Sequence, residues 1–511
     1  MKKNIEAVMR NAAITFKRSA EAGDSAGWLS DNYYILERTA KQAVQDCRRL
    51  RNTPKGSDLL PGLFARCKEM CENGNLPSEE EIVDYFGAGS LGGAAVELLP
   101  LAVTCALVDE AACAVRADSK KQLSRLANAV VSLRKMGETD FDIISEKLYS
   151  AEKILLSDPS GIYPSMDRET KSFYRRSLCE TASRSGKSEV KYASEALKKA
   201  QKSGKHIGIF IISREKSRRN GILYLIMEII MPLAVSAAVG IFFGEPSVSI
   251  LLFFPLWELL RYPIERESLK NAVPERFPRL SADDGRVMNA ATLITVSTLL
   301  PSADKIPELE KRLEKLYLSN CVGNIRICCL ADFKGAAVPT KPEDKITAKA
   351  FCEAADRLNR KYGGGFIFAV RPRVYSETQK EFIGRERKRG AITELIRAIK
   401  GNSEGFSLLH GDTENLKETK YLIALDADTG LVFDSARELV SIAEHPLNAP
   451  VIKNGRVVKG YGILAPRTEN RIDDGAGLFS SVLAGDRGIT AYDSLSSERY
   501  QDLFGEGIFS G

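Results

Sequence analysis

Histidine is nearly missing from this chain: three copies in 511 residues, His206, His410 and His445, far apart in sequence. That scarcity leaves little support for a histidine metal centre or a Ser-His triad. The ten cysteines show no zinc spacing. Cys67 and Cys71 sit four apart on a helical pattern, Cys105 and Cys113 lie on an apolar run, and Cys328-Cys329 fall inside an expected strand. Buried, reduced thiols are the expectation, which suits a cytosolic setting. The formal net charge of +6 is small for this length. It gives no argument for nucleic acid, and no nucleic-acid module accompanies it. No long apolar core follows Met1-Lys-Lys, so no signal peptide is expected.

What is present divides the chain. Residues 1–205 read as a helical cytoplasmic domain. Ile5, Val8, Met9, Ala12 and Phe16 recur at helix spacing, and Ser78-Glu-Glu-Glu81 forms a capping box. The apolar run Ala94–Val115 carries Glu97, Asp109 and Glu110, so a buried soluble helix is preferred there over a membrane span. Asp158–Thr170 reads as a packed loop leading into a helix, with Asp167 near the helix start and no chemistry assigned. Residues 220–263 read as a transmembrane hairpin. Ile222–Phe243 is about 22 residues, roughly 33 Å at ~1.5 Å per residue, against a hydrocarbon core of ~30 Å. Ser247–Leu260 follows, with Trp257 and Tyr262 suited to the interface. Arg214, Lys216, Arg218 and Arg219 on one side, and Arg261, Arg266 and Lys270 on the other, fit two cytoplasmic ends. A buried soluble hairpin is the alternative. Residues 271–287 read as a linker in which Pro274, Pro278, Asp283, Asp284 and Gly285 break any element.

From residue 288 onward, strands and helices alternate, the pattern of an α/β layer. Strands are expected at Leu293–Leu300, Asn324–Leu330 and Phe366–Val370, with helices at Lys305–Asn320, Thr347–Tyr362 and from Arg385 to Ile399. The stretch Tyr421-Leu-Ile-Ala-Leu-Asp-Ala-Asp-Thr-Gly430 reads as a buried strand ending in two carboxylates. In α/β sheets ligands bind at the carboxyl ends of strands. Asp426 and Asp428 are therefore the candidate ligands for Mg²⁺ or Mn²⁺ on a nucleotide-sugar diphosphate. A solvated turn that caps the next helix is the competing reading.

Several separated stretches resemble, in order, the glycosyltransferase region of cyclic β-1,2-glucan synthases. They are Ala291–Leu300, Leu330-Ala-Asp-Phe333, Phe382-Ile-Gly-Arg-Glu-Arg-Lys-Arg-Gly390, the Asp-pair strand, His445-Pro-Leu-Asn-Ala-Pro450, Lys459–Arg467 and Tyr500–Gly507. The resemblance implies an α plus α/β chain: a helical domain, a membrane hairpin and part of a glycosyltransferase A-type, Rossmann-like domain over 288–511. It implies an inverting transfer of glucose from UDP-glucose to a growing β-1,2-glucan acceptor. The setting it implies is a multi-pass protein of the bacterial inner membrane, soluble parts in the cytoplasm, in contact with the lipid bilayer.

By the same analogy Ser297, Thr298 and Asp332 face the uridine, although a plain turn role for Asp332 stands equally. Arg385, Lys388 and Arg389 form a diphosphate cradle or, alternatively, a membrane-facing patch. Tyr461 stacks on an acceptor sugar, and Glu506 lies in a loop near the acceptor. The family's general base is expected beyond Gly511, as is the rest of the catalytic domain. An inactive fragment and a synthase of another linkage are thus the alternatives. Ser297, Arg385 and Gly430 stand where the family usually has proline, tryptophan and glutamine.

Overall fold

The computed structural model describes residues 5–21, 27–50, 56–116, 120–212, 219–269, 277–466 and 477. The chain divides into two compact units, residues 1–213 and 214–511.

The first unit is helical throughout its described residues, apart from short turns and one bridge between Leu91 and Tyr149. Helix Gly93–Arg116 is its axis. It packs against helices Ile5–Glu21, Gly27–Leu50, Gly56–Met70, Lys120–Lys135 and Arg168–Arg184. Val96, Leu99, Val103, Leu107 and Val108 are fully buried along it. Its length and composition would also let it cross a membrane. Its acidic residues instead find protein partners: Glu110 pairs with Arg125, Asp109 with Lys68 at 2.5 Å, and Glu97 with Arg175 at 3.4 Å. The preference for a buried soluble helix agrees with this packing. The expected capping box at Ser78 and the cap at Asp167 are both formed. Helical structure runs past the expected limit of 205, through the short helix Gly208–Ile211.

Asp158 is more than a loop residue. Its carboxylate receives His206 Nδ1 at 2.7 Å and the Ile207 N–H at 3.0 Å, while Tyr174 Oη lies 2.6 Å from His206 Nε2. Ser160 Oγ donates to Asp158 at 2.5 Å. This is not a Ser-His-Asp catalytic arrangement. Serine and aspartate both sit on the Nδ1 side, tyrosine holds Nε2, and Asp158, His206 and Tyr174 are all buried. Burial alone would raise the Asp158 pKa, but the bonds from His206, Ser160 and Ile207 outweigh it and hold the carboxyl well below its usual range. Most of the cysteines are buried. Cys113 is exposed, while Cys321 and Cys352 are half-buried, which departs from a uniformly buried set.

In the second unit, helices Arg219–Phe243 and Pro246–Leu269 pack side by side as a hairpin. Ile222–Phe243 is long and apolar enough to cross a membrane; the second helix falls short of the same test. Ile222, Leu223, Ile229, Ile230, Leu233, Ile241 and Phe242 are exposed. Glu228, the one carboxylate in the first span, lies 3.9 Å from Arg261. The stretch read as an element-free linker is structured in its described part. Asp284 caps helix Gly285–Asn289, and Leu280 is buried with its N–H on Ser441 O at 3.1 Å. Proline and glycine end elements, but aspartate before a glycine also starts one.

The α/β layer is a five-stranded sheet. Its strands are β1 (Thr292–Leu299), β2 (Ile325–Asp332), β3 (Phe366–Arg371), β6 (Leu408–Gly411) and β7 (Tyr421–Asp426). Two small hairpins complete it: β4 (Val374–Ser376) with β5 (Glu381–Ile383), and β8 (Val451–Lys453) with β9 (Arg456–Lys459). The order across the sheet is β6-β3-β2-β1-β7, parallel except for β6. Side chains alternate between two apolar layers. Ile294, Val296, Ile327, Cys329, Phe366 and Phe368 face helices Ile306–Asn320 and Pro342–Tyr362. Leu293, Cys328, Leu330, Ile367 and Ala369 face helix Arg387–Ile399. Cover on both faces explains why β1, β2 and β3 read as near-continuous apolar runs; β7, expected to be buried, is instead an edge strand in which only Leu425 is buried and Ala424 is exposed. The sequence reading placed the main strands and helices within a few residues and passed over β4, β5, β6, β8, β9 and helix Ser435–Ala443.

The Asp158 network carries a prediction. A carboxyl whose folded-state pKa is depressed contributes stability above its unfolded pKa of ~3.9, and that contribution is lost as pH falls toward the folded value. Asp158→Asn should therefore speed amide exchange at Ile207 at neutral pH, by about 1.5–3 kcal/mol of local stability. The gap from wild type should narrow below about pH 4. Equal exchange at pH 7 would refute it.

Candidate strand-tip site

The strand order reverses at β1. From β1 the chain steps to β2 and β3 on one side, and β7 returns to the other. Such a reversal opens a crevice beyond the carboxyl ends of the strands, where α/β sheets take their ligands. Here those ends are Ser297, Thr298 and Leu299 on β1, Asp332 on β2 and Asp426 on β7. Ser297 and Asp426 are register partners across the reversal.

Asp426 and Asp428 are exposed, and the Thr429 N–H turns back to Asp426 O at 3.1 Å. The pair therefore projects from the sheet margin into solvent. Ser297 Oγ is buried and finds no hydrogen-bond partner among the described residues. Thr298 Oγ1 bonds Leu299 O at 3.1 Å.

The basic run lies beside the acidic pair. Lys388 Nζ is 2.7 Å from Asp426 Oδ1. Arg385 and Arg387 are exposed, and Arg389 is 86% exposed with its Nε 3.6 Å from Glu386. Helix Arg387–Ile399 starts inside the run, and none of its first N–H groups is capped by a described side chain. Glu386 and Arg387 have φ of 53° and 45°, the left-handed region that non-glycine residues rarely enter.

Asp332 is not open to the crevice. Both of its oxygens accept from Arg371, Nε at 2.7 Å and Nη2 at 2.6 Å, and both residues are buried. Arg371 and Asp332 are register partners on β3 and β2. The same guanidinium donates to Arg385 O and Arg387 O, each at 2.8 Å. Arg373, two residues on, lies 4.9 Å over the Phe333 ring and donates to Asp344 at 3.0 Å. That contact, the largest influence, lowers the Asp344 pKa and ties helix Pro342–Tyr362 to the loop after β2. The sequence reading passed over both arginines. Their signal was Arg371-Pro-Arg373 closing an apolar strand, where a solvated end needs no such pair of cations.

The glycines around the basic run have definite roles. A Cβ at Gly384 would fall 2.3 Å from Asp332 Oδ2, and one at Gly390 would fall 1.9 Å from Arg385 O. Gly390 thus lets the Arg385 carbonyl approach the first turn of the helix closely. Tyr461 packs edge-on against Phe277, ring centroids 4.8 Å apart, with its N–H on Asn448 O at 2.9 Å. Glu506 lies outside the described residues.

The residues fit a divalent cation of the Mg²⁺ or Mn²⁺ type. No described cluster supplies three or more His, Cys, Asp or Glu ligands. Such ions, however, are held by one or two carboxylates, with water and substrate phosphate completing the shell. The exposed Asp pair matches that donor set, and the orphaned Ser297 Oγ sits in register beside it.

An open α/β layer is thus the class that the fold defines, with paired carboxylates and a cationic loop meeting at its strand reversal. No protein-family model matches the chain. It is similar to the cyclic beta-(1,2)-glucan synthase NdvB of Rhizobium meliloti (strain 1021), 27% identical over 434 residues. The match covers 76% of this chain and 15% of that protein. The chain is a relative of this glucan synthase and spans a small part of its length.

Gly390→Ala sets a backbone carbonyl against a methyl group, and neither can yield cheaply. The variant should lose about 1–3 kcal/mol of stability, read by denaturant unfolding of the purified chain. An unchanged midpoint would show that the loop is not held as described.

Proposed function

We propose that the α/β layer is the donor-binding part of a membrane-anchored glucosyltransferase with a glycosyltransferase A-type fold. It takes UDP-glucose and transfers glucose, with inversion, to a growing β-1,2-glucan. One observation carries the proposal: at the strand reversal, Asp426 on β7 meets Lys388 of the basic run at 2.7 Å. A diphosphate needs cations, and a divalent ion needs carboxylates; this crevice offers both within one contact.

Each group has a stated task. Asp426 and Asp428 would hold Mg²⁺ or Mn²⁺, which when bound offsets negative charge on the departing UDP. Lys388 is free to exchange Asp426 for a phosphate oxygen, and Arg389 extends into solvent where it can follow. At the start of helix Arg387–Ile399 the Arg387 and Gly390 N–H groups are taken by Gly384 O and Glu386 O, and the Lys388 and Arg389 N–H groups between them, with the positive dipole end, add to the same place. Ser297 and Thr298 line the nucleoside side, where the unpartnered Ser297 hydroxyl awaits a polar group. Tyr461 and Glu506 belong to the acceptor side by family analogy. The apolar outer face of Ile222–Phe243 and its flanking arginines support an inner-membrane anchor with the catalytic layer in the cytoplasm. The similarity to a cyclic glucan synthase supports the sugar chemistry; its small coverage of that protein leaves ring closure a property of the relative.

Asp428→Asn and Asp426→Asn should each weaken Mn²⁺-dependent UDP binding by tenfold or more. Binding measured in EDTA should stay as it is in wild type. Titration calorimetry on the detergent-solubilised chain reads both. A variant with wild-type affinity in Mn²⁺ would refute the assignment.

A further inference from the structure

The cationic loop is held by one buried side chain. Arg371 Nε and Nη2 take both oxygens of Asp332, and Nη1 and Nη2 take the carbonyls of Arg385 and Arg387. Gly384 and Gly390 bracket this contact, and both are positions where a Cβ would collide, with Asp332 and with Arg385 O. A second tie comes from Ala336, which exchanges both backbone hydrogen bonds with Phe382 at 3.0 and 2.8 Å just before the loop. The loop leaves this anchor in left-handed conformations at Glu386 and Arg387, and its next residue is Lys388.

We propose that Arg371, locked on Asp332, is the positioning residue of the phosphate-binding loop. This rests on the donor-diphosphate reading above, and it assigns Asp332 to the loop and not to the nucleoside. The physical reason is geometric. A guanidinium presents its donors in a rigid planar fork, so one side chain can grip a carboxylate and two carbonyls at once. A lysine ammonium at this position reaches one of these acceptors well and leaves the others unpaired. Asp332 in turn gives both oxygens to Arg371 and is buried, so a ribose or base donor would have to compete with the clamp for it. With the clamp intact, the Arg385 and Arg387 carbonyls are fixed, the first turn of the helix is aimed, and Lys388 stands at Asp426. With it broken, those cations keep their charge but lose their place.

The test compares Arg371→Lys and Asp332→Asn with wild type in the detergent-solubilised 511-residue chain. Binding of UDP and of uridine is measured in Mn²⁺, together with amide exchange across residues 384–390. Both variants should weaken UDP at least tenfold and leave uridine affinity unchanged. Exchange should quicken at 384–390 while β1 and β2 keep their protection. Three results overturn the proposal: wild-type UDP affinity in Arg371→Lys, a uridine loss equal to the UDP loss, or unchanged protection of the loop. If wild type itself fails to bind UDP, the donor reading falls, and the exchange measurement alone then decides whether the clamp positions the loop.

Discussion

Arg371 and Asp332 stand side by side on neighbouring parallel strands, at the point where both leave the sheet. Burying opposite charges is costly, and Coulomb attraction offsets the cost only when the geometry is good and the remaining donors are satisfied. The geometry is bidentate, and two carbonyls of the following loop take two of the three donors that the carboxylate leaves over. The pair is therefore not a local ion pair alone. It fixes where the chain goes after β5, and the candidate site is built from that path. Removing either partner would strand a buried charge, at about 3–5 kcal/mol.

The second constraint is the place of β1 between β2 and β7. A strand flanked on both sides, and covered above and below, can carry no polar side chain at its middle without a partner. Thr295 meets that demand by donating to Ile423 O at 3.2 Å. Ser297, at the tip, does not, and it is there that the strand order reverses. A polar atom left over at a sheet margin, in register with a projecting carboxylate, is cheap only if something else comes to meet it.

The helical unit handles charge by the opposite route. Helix Gly93–Arg116 is apolar almost all round, yet Glu97, Asp109 and Glu110 are each met by a basic residue from another helix. The buried Asp158 is likewise met inside the unit, by His206, which Tyr174 holds from its other ring nitrogen. In both networks each carboxylate has a partner from another segment of the chain, whereas Asp426 and Asp428 on and after β7 are exposed.

The strands were readable because sheets buried on both faces need unbroken apolar runs, and the helices because capping residues and spacing act within a few positions. Asp426, Asp428 and the basic run at 385–389 could be named from sequence, since a strand that ends in carboxylates and a glycine-bounded cluster of cations are local patterns. What local pattern could not supply was the partner of each. Asp332 looked free for a ligand until Arg371, 39 positions away, was folded against it. Lys388 and Asp426, 38 positions apart, met only through the strand reversal. Short edge hairpins such as β8 and β9 also escaped, because three or four exposed residues carry too little periodicity to stand out. Sequence determined which elements form and which charges lie at their ends, through interactions a few residues long. Tertiary structure decided which of those charges are consumed as scaffold and which remain for a ligand, because that depends on long-range register and burial.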